Sequence, residues 1–183
     1  MKCIYSTILV VDDDENDRLF IQTAFVAIGV TSSVHVVEGG EEAIKYLAGQ
    51  GRYSDRDVFA YPNFVITDLK MPGLDGFQLL QHIRHCPKSV SLPTVVLSGS
   101  EDNDDIQRAV LLGANSYHVK PGSPSDLRAL LRALHDYWMT CEFPVRSVNP
   151  KPVTTEGRHK LGAQMLEGTA PWFPQSPSSS VTS

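Results

Sequence analysis

Hydrophobic and polar positions along the chain follow two alternating rhythms. Short apolar runs, typical of buried strands, occur at Ile8–Val11, Ser33–Val37, Asn63–Thr67, Thr94–Leu97 and Ser116–Val119. A stretch with helical spacing follows each run, at Asp17–Ile28, Glu41–Ala48, Phe77–His85, Asp104–Leu112 and Ser125–Met139. Because strands and helices take turns, the pattern predicts an α/β fold, a parallel sheet with helices on both faces.

Two segments stand outside this alternation. Gly49–Pro62 is a connection much longer than the usual two to six residues, and it carries polar and aromatic side chains. Residues 147–183 contain five Pro, six Ser and four Thr with little apolar periodicity. Such a composition buries too little apolar surface to fold. We therefore predict one domain over residues 1–146 and a disordered tail over residues 147–183.

Composition narrows the classes of function. The chain has 183 residues and a net charge of −5 with no basic stripe, which argues against binding to nucleic acid. Its three cysteines are odd in number and widely spaced, as expected for reduced thiols in the cytoplasm. No apolar stretch approaches the roughly 20 residues that span a bilayer, and the first residues do not resemble a signal peptide. We expect a cytoplasmic protein without a membrane segment.

Polar residues stand at the ends of four of the five predicted strands. An acidic triplet follows the first run, one acid the third, a hydroxyl the fourth and a lysine the fifth: Asp12, Asp13, Asp14, Asp68, Ser98 and Lys120. Ligands and chemistry collect at the carboxyl ends of parallel strands. Acids, a hydroxyl and a lysine at this edge therefore predict a site that combines a metal with phosphoryl chemistry.

Each motif also has a simpler interpretation. Three acids after a strand are typical of a helix N-terminus, where Asp caps the helix. Asp12 and Asp14 also form the D-x-D pair of a haloacid-dehalogenase-like phosphohydrolase, although Asn16 stands where that motif has Thr or Val. His82 and His85 have the spacing of zinc ligands on a helix, but a solvated helix end explains them better.

In combination and in this order, the motifs resemble those of response-regulator receiver domains, over about Thr7 to Trp138. The resemblance implies a doubly wound five-stranded sheet in the order 2-1-3-4-5. It implies roles for eight positions: Asp12 and Asp13 as the acidic pair, Asp68 as phospho-acceptor, Lys70 as a backbone-carbonyl metal ligand, Ser98 and Tyr117 as switch residues, Lys120 as the phosphate-binding lysine, and Pro121 after a cis peptide.

This strand order would bring Asp12, Asp13 and Asp68 into one depression, with Ser98 and Lys120 on its rim. Three adjacent carboxylates repel one another, so the site needs a cation. An all-oxygen ligand set suits Mg²⁺ or Mn²⁺. Asp68 is the expected nucleophile, because acyl phosphates form on carboxylates. Besides the phosphorylated receiver and the phosphohydrolase, a third hypothesis is a constitutive interaction scaffold that keeps the fold without phosphorylation.

The long Gly49–Pro62 connection and the Asp136-Tyr137-Trp138 ending look like stand-alone receivers paired with bacterial phytochrome histidine kinases. The likeness implies a sensor histidine kinase as partner and catalysis only of the protein's own phosphorylation and dephosphorylation. Output would pass through the face of the fourth helix, fifth strand and fifth helix. The apolar stripe ending in Leu134, Trp138 and Met139 predicts homodimerisation there. The alternative is a monomer in which Trp138 packs on the fifth strand.

Overall fold

The computed structural model describes residues 6–141. Five strands alternate with five helices, as the sequence pattern predicts. The strands are β1 (Thr7–Val11), β2 (Ser33–Val37), β3 (Phe64–Thr67), β4 (Thr94–Ser98) and β5 (Ser116–Val119). The helices are α1 (Glu15–Ala27), α2 (Gly40–Ala48), α3 (Gly76–His85), α4 (Asn103–Leu111) and α5 (Pro124–Thr140).

All neighbouring strands pair in parallel, in the order β2-β1-β3-β4-β5. The predicted α/β class and the strand order implied by the resemblance are both confirmed. Val11 is in register with Thr67, and Ser98 with Val119. The residues that follow these strands therefore emerge at one edge of the sheet, where the sequence places its acids and its lysine.

Side chains of the central strands alternate between the two faces of the sheet. Ile8 and Val10 of β1 pack against α1 and α5, together with Phe25 and Leu131. Leu9 and Val11 face the opposite side, where α2 and α3 cover them. A third cluster joins β4 to α3 and α4 through Val96, Phe77 and Ala109. Because both faces are covered, β1 and β3 are buried along their whole length and carry continuous apolar runs, Ile8–Val11 and Phe64–Ile66, rather than an alternating pattern.

The long connection between α2 and β3 packs on the core through its aromatic residues. A short 3-10 turn, Gly51–Tyr53, opens it, and the Tyr53 ring is buried. Its centroid lies 5.0 Å from that of Tyr46 and 5.2 Å from that of Phe59. The Tyr46 hydroxyl donates to the carbonyl of Ala60 at 2.8 Å, and burial raises the pKa of Tyr46 to about 12. The connection is thus an extension of the core.

The apolar stripe of α5 packs on the protein's own sheet. Leu131 and Leu134 are buried, and Leu127, Leu130 and Trp138 are half-buried against the cluster that contains Phe64. The Trp138 ring lies 6.5 Å from the Phe64 ring of β3. The Trp138 ring therefore packs on the protein's own sheet, beside β3.

The predicted domain end at residue 146 and the predicted tail over residues 147–183 lie outside the described residues. Within residues 6–141, no helix is both long and apolar enough to cross a membrane.

Candidate functional site

Four strands deliver polar side chains to one edge of the sheet. Asp12 follows β1, Asp68 follows β3, Ser98 ends β4 and Lys120 follows β5. Asp12, Asp68 and Ser98 are buried, at 1%, 9% and 1% exposed. Polar groups this deep are expensive to bury unless they are paired or bind a ligand. The predicted site residues at the four strand ends are therefore brought together.

Lys120 is the centre of the site. Its Nζ lies 2.6 Å from Oδ2 of Asp17, 2.8 Å from Oδ2 of Asp12 and 3.2 Å from Oδ2 of Asp68. Burial opposes the charged ammonium, but the hydrogen bonds to Asp12 and Asp17 outweigh it and raise the pKa of Lys120. The lysine is therefore a permanent positive charge among carboxylates.

The backbone fixes the direction of the Asp68 carboxylate. The amide of Asp68 donates to the carbonyl of Val11 at 2.9 Å, and Oδ1 of Asp68 accepts from the amide of Leu69 at 2.6 Å. The first residue of α3, Gly76, lies so close that an added Cβ would sit 2.1 Å from the Asp68 carbonyl oxygen. Only glycine allows this approach, which seats the loop after β3 against α3.

The acidic triplet divides into two roles. Oδ1 of Asp14 accepts from the amides of Asn16 and Asp17, at 2.7 Å and 3.3 Å, so Asp14 caps α1. These hydrogen bonds lower the pKa of Asp14. Asp12 turns inward instead, where its Oδ1 accepts from the amide of Asp14 and burial raises its pKa despite Lys120. The capping interpretation holds for Asp14 alone, and a capped carboxylate is a poor acid/base group.

Asp17 and Arg18 belong to the site, although the strand-end motifs do not include them. One guanidinium nitrogen of Arg18 donates to the carbonyls of Asp12 and Asp13, at 2.7 Å and 2.8 Å. Asp17 pairs with Lys120 as described above. The signal was present in the helical pattern, since Asp17 lies four residues before buried Ile21 and so begins the inward stripe of α1.

The structure holds a group of oxygen ligands suited to a divalent ion. One carboxylate oxygen from each of Asp12, Asp13 and Asp68 lies within 4.8 Å of the others, with Asp13 exposed and the other two buried. A hard all-oxygen set fits Mg²⁺ or Mn²⁺. The zinc interpretation of His82 and His85 gains no support, because neither histidine belongs to a group of three or more potential ligands within the described residues.

A second polar network leads away from the loop after β3. Nζ of Lys70 lies 3.1 Å from Oδ2 of Asp105 in α4, and the Ser100 hydroxyl donates to the same oxygen at 2.6 Å. The Tyr117 hydroxyl donates to the carbonyl of Ser100 at 2.8 Å. Tyr117 is thus already turned inward, half-buried against α4, and the network joins it to the residue two positions after Asp68.

The backbone after Lys120 differs from the expectation. No cis peptide bond occurs among the described residues, so the bond before Pro121 is trans. The cis bond implied by the resemblance is therefore wrong for this structure. The trans form of an X–Pro bond is favoured by about 0.5–1 kcal/mol, and Lys120 reaches its three carboxylates from this backbone.

Several solved structures are similar to this chain. The chain is 32% identical to the response regulator RPA3017 in red light signaling of R. palustris, with a TM-score of 0.72, covering 76% of this chain and 99% of that one. It is 30% identical to the phosphorylated cyanobacterial phytochrome response regulator RcpA, with a TM-score of 0.69, covering 76% and 97%. It is 27% identical to the Mn²⁺-bound form of the response regulator Rcp1, named from Synechocystis, with a TM-score of 0.67, covering 76% and 99%.

A family model agrees with these structures. The model of the response regulator receiver domain matches residues 8–132, which include the five strands except for Thr7 of β1, together with the strand-end residues described above. The match extends over more than half of the chain. This chain therefore belongs to the response regulator receiver domain family.

Proposed function

We propose that this receiver domain accepts a phosphoryl group on Asp68 from a sensor histidine kinase and changes its surface in response. The observation that carries the proposal is the Asp68 carboxylate, buried beside Lys120 and grouped with Asp12 and Asp13. A structural ion pair needs one acid for one lysine. Here the acids outnumber the lysine, which is the arrangement that a cation and a phosphoryl group would complete.

The reaction transfers the phosphoryl group from a nitrogen to an oxygen. A carboxylate oxygen of Asp68 attacks the phosphorus of the kinase phosphohistidine, and an O–P bond forms as the N–P bond breaks. The electron pair of the broken bond returns to the imidazole nitrogen. Lys120 and the Ser98 hydroxyl hold the phosphoryl oxygens, and positioning with charge neutralisation supplies most of the catalysis. Hydrolysis of the new O–P bond on Asp68 resets the protein.

Asp12, Asp13 and Asp68, with the backbone carbonyl of Lys70, would hold the Mg²⁺ or Mn²⁺. When bound, the ion neutralises the charge that gathers on the transferring group. The Mn²⁺-bound form of Rcp1 supports this assignment. Arg18 keeps the carbonyls of the Asp12–Asp13 turn in place, so the two acids face the site before any ligand arrives.

The protein would catalyse only its own phosphorylation and dephosphorylation. The alternative phosphohydrolase would need Asp14 as acid/base, but that carboxylate is exposed and caps α1. The scaffold hypothesis leaves the excess of acids around Lys120 without a purpose. We place the reaction in the cytoplasm, in keeping with Cys86 and Cys141, the cysteines of the described segment, which are free thiols.

We infer that the kinase partner is a bacteriophytochrome. RPA3017 is described as acting in red light signaling and RcpA as a phytochrome response regulator, and both resemble this chain over most of their length. A net charge of −5 disfavours a nucleic-acid partner.

Phosphorylation would be read on α4, β5 and α5. Ser98 and Tyr117 are the switch residues in this proposal: movement of the Ser98 hydroxyl to the phosphoryl group alters the β4–α4 loop on which Tyr117 is held. Exposed apolar side chains mark all three elements, namely Val110, Leu111, Val119 and Tyr137. We infer that a second copy of the chain binds this face to form a homodimer, since exposed apolar patches mark interaction sites.

Mass spectrometry of the intact protein tests phosphorylation. Wild type incubated with acetyl phosphate and Mg²⁺ should gain one phosphoryl group, and Asp68→Asn should gain none. Omission of Mg²⁺ should abolish labelling of the wild type. Equal labelling of Asp68→Asn, or labelling in excess EDTA, would contradict the proposed site.

Sedimentation tests the homodimer. Leu111→Ser should shift the phosphorylated protein towards monomer, because Leu111 of α4 is 86% exposed. Leu19→Ser is the matched control, since Leu19 is a leucine of α1 that is 58% exposed. A wild-type protein that stays monomeric at tens of micromolar with and without phosphorylation would refute dimerisation.

A further inference from the structure

Asp17 has the shortest ion pair in the site, and it lies outside the strand-end motifs. Its Oδ2 is 2.6 Å from Nζ of Lys120, closer than either Asp12 or Asp68. A lysine ammonium has three N–H donors and no acceptor. Asp12, Asp17 and Asp68 therefore occupy all of the hydrogen-bonding capacity of Lys120.

A phosphoryl oxygen can bind Lys120 only if one of these acceptors gives way. Asp12 is held in place, because its side chain is 1% exposed and its other oxygen accepts from the amide of Asp14. Asp68 carries the phosphoryl group and stays beside Lys120. The Asp17 side chain is 36% exposed, and within residues 6–141 its carboxylate has no hydrogen-bond donor besides Lys120.

Release therefore costs least at Asp17. Water can solvate the freed Asp17 carboxylate at once, since it borders an open groove of about 400 Å³ between α1 and the segment that begins at Pro121. A buried Asp12 carboxylate left without Lys120 would have no such replacement. The geometry thus identifies which of the three pairs is exchanged.

We propose that Asp17 is a positioning residue that competes with the phosphoryl group for Lys120. This inference rests on the proposed function of Asp68 as acceptor. In the unphosphorylated protein, Asp17 holds the ammonium towards α1; on phosphorylation, the phosphoryl oxygen replaces it. Asp17 therefore weakens the hold of the site on a phosphoryl group, which favours a short-lived signal over a stable one.

Removal of the Asp17 charge should therefore raise the affinity of the site for a phosphoryl group. Asp17→Asn keeps the shape of the side chain but loses the charge-assisted bond to Lys120, so the competition falls. We expect it to bind beryllofluoride, a phosphoryl mimic, about three- to tenfold more tightly than wild type at saturating Mg²⁺, the range set by a half-exposed ion pair. Asp17→Glu keeps a competing carboxylate and should stay close to wild type.

Glu15→Gln is the matched control for the general electrostatic field. Glu15 is an exposed acid of the same helix turn and makes no ion pair within the described residues. Its substitution removes one negative charge from α1 without touching Lys120. We expect less than about a twofold change in beryllofluoride affinity, because a solvent-exposed charge that does not contact Lys120 is screened by solvent and salt.

Calorimetric titration of beryllofluoride into the four proteins, each preloaded with Mg²⁺, decides the matter. Titration of Mg²⁺ alone, run in parallel, should give similar affinities for wild type and Asp17→Asn, since Asp17 is not in the ligand group. Equal beryllofluoride affinities for these two proteins, or an equal gain in Glu15→Gln, would overturn the role of Asp17 alone. A wild type that binds Mg²⁺ but no beryllofluoride would overturn the proposed function and this inference with it.

Discussion

At the amino ends of β4 and β5, one arginine donates hydrogen bonds to several carbonyl oxygens. At the carboxyl ends of the strands, one lysine is shared by three carboxylates. Arg84 of α3 donates to the carbonyls of Gly113 and Leu92, at 2.6 Å and 2.8 Å, and to Oδ1 of Asn115 at 2.8 Å. That Asn115 oxygen also accepts from the amide of Thr94. Lys120 at the other end faces like charges that repel one another.

The two ends of the sheet therefore contribute differently to the stability of the native state. Arg84 donates to acceptors that are all neutral, so its contacts stabilise the native state without a ligand. The carboxyl end gathers charges that only a ligand fully compensates. Stability should fall when the amino end is altered and rise when the carboxyl end is neutralised.

Loss of Arg84 should have the largest effect on stability. Arg84→Ala leaves the carbonyl of Gly113 without its donor and leaves the carbonyl of Leu92 with only the Thr94 hydroxyl, which should lower the free energy of unfolding by about 2–3 kcal/mol. Urea denaturation measures this free energy of unfolding. Arg132→Ala is the control, since Arg132 makes one exposed bond, to the carbonyl of Ile28, and should cost less than about 1 kcal/mol. Equal losses in the two variants would remove the contrast between the ends.

Neutralisation of Asp12 should act in the opposite direction. Asp12→Asn relieves repulsion in the buried acidic group and should raise the free energy of unfolding by about 1 kcal/mol in EDTA. Excess Mg²⁺ should stabilise wild type but not the variant, because a ligand stabilises the state that binds it. Asp57→Asn, at an exposed loop acid, is the control. A destabilised Asp12→Asn protein would show that the Lys120 pair outweighs the repulsion.

His118, midway along β5, should give the smallest effect, seen as a dependence on pH. Burial lowers its pKa, and its buried Nε2 has no hydrogen-bond partner within the described residues. The unfolded chain then binds more protons, so this contribution to stability is present above about pH 6.5 and is lost as the pH falls below it. His118→Leu should lose less stability than wild type between pH 7.5 and 5.5. His82→Gln, at an exposed histidine, should show the same dependence of stability on pH as wild type. If His118→Leu also kept the wild-type dependence, His118 would not be its source.

The sequence predicted the strands and the carboxyl-end cluster well, for one physical reason. A strand covered on both faces must be apolar throughout, as Ile8 to Val11 are, so a polar residue that ends the run marks the edge of the sheet. Parallel pairing then brings those edges together. Asp12 and Asp68 meet because β1 and β3 are paired, and the long Lys120 side chain reaches both of them from the end of β5.

Features that depend on side-chain direction were less accessible. Asp17 is difficult to assign to the site from the sequence, because an acid in the first helical turn is normally explained by the helix dipole. The packing of Tyr53 and Phe59 in the long connection needed the tertiary position of α2. The inward pose of Tyr117 depends on the carbonyl of Ser100, a backbone group that no sequence motif marks.

The most direct test of the account is to locate the phosphoryl group on the chain. Borohydride reduces an aspartyl phosphate to homoserine, and peptide mass spectrometry then identifies the converted residue. After incubation with acetyl phosphate and Mg²⁺, we predict homoserine at position 68 and unchanged aspartate at positions 12, 13 and 17. Homoserine at position 12 would favour the phosphohydrolase alternative and contradict the assignment of Asp68 as the acceptor.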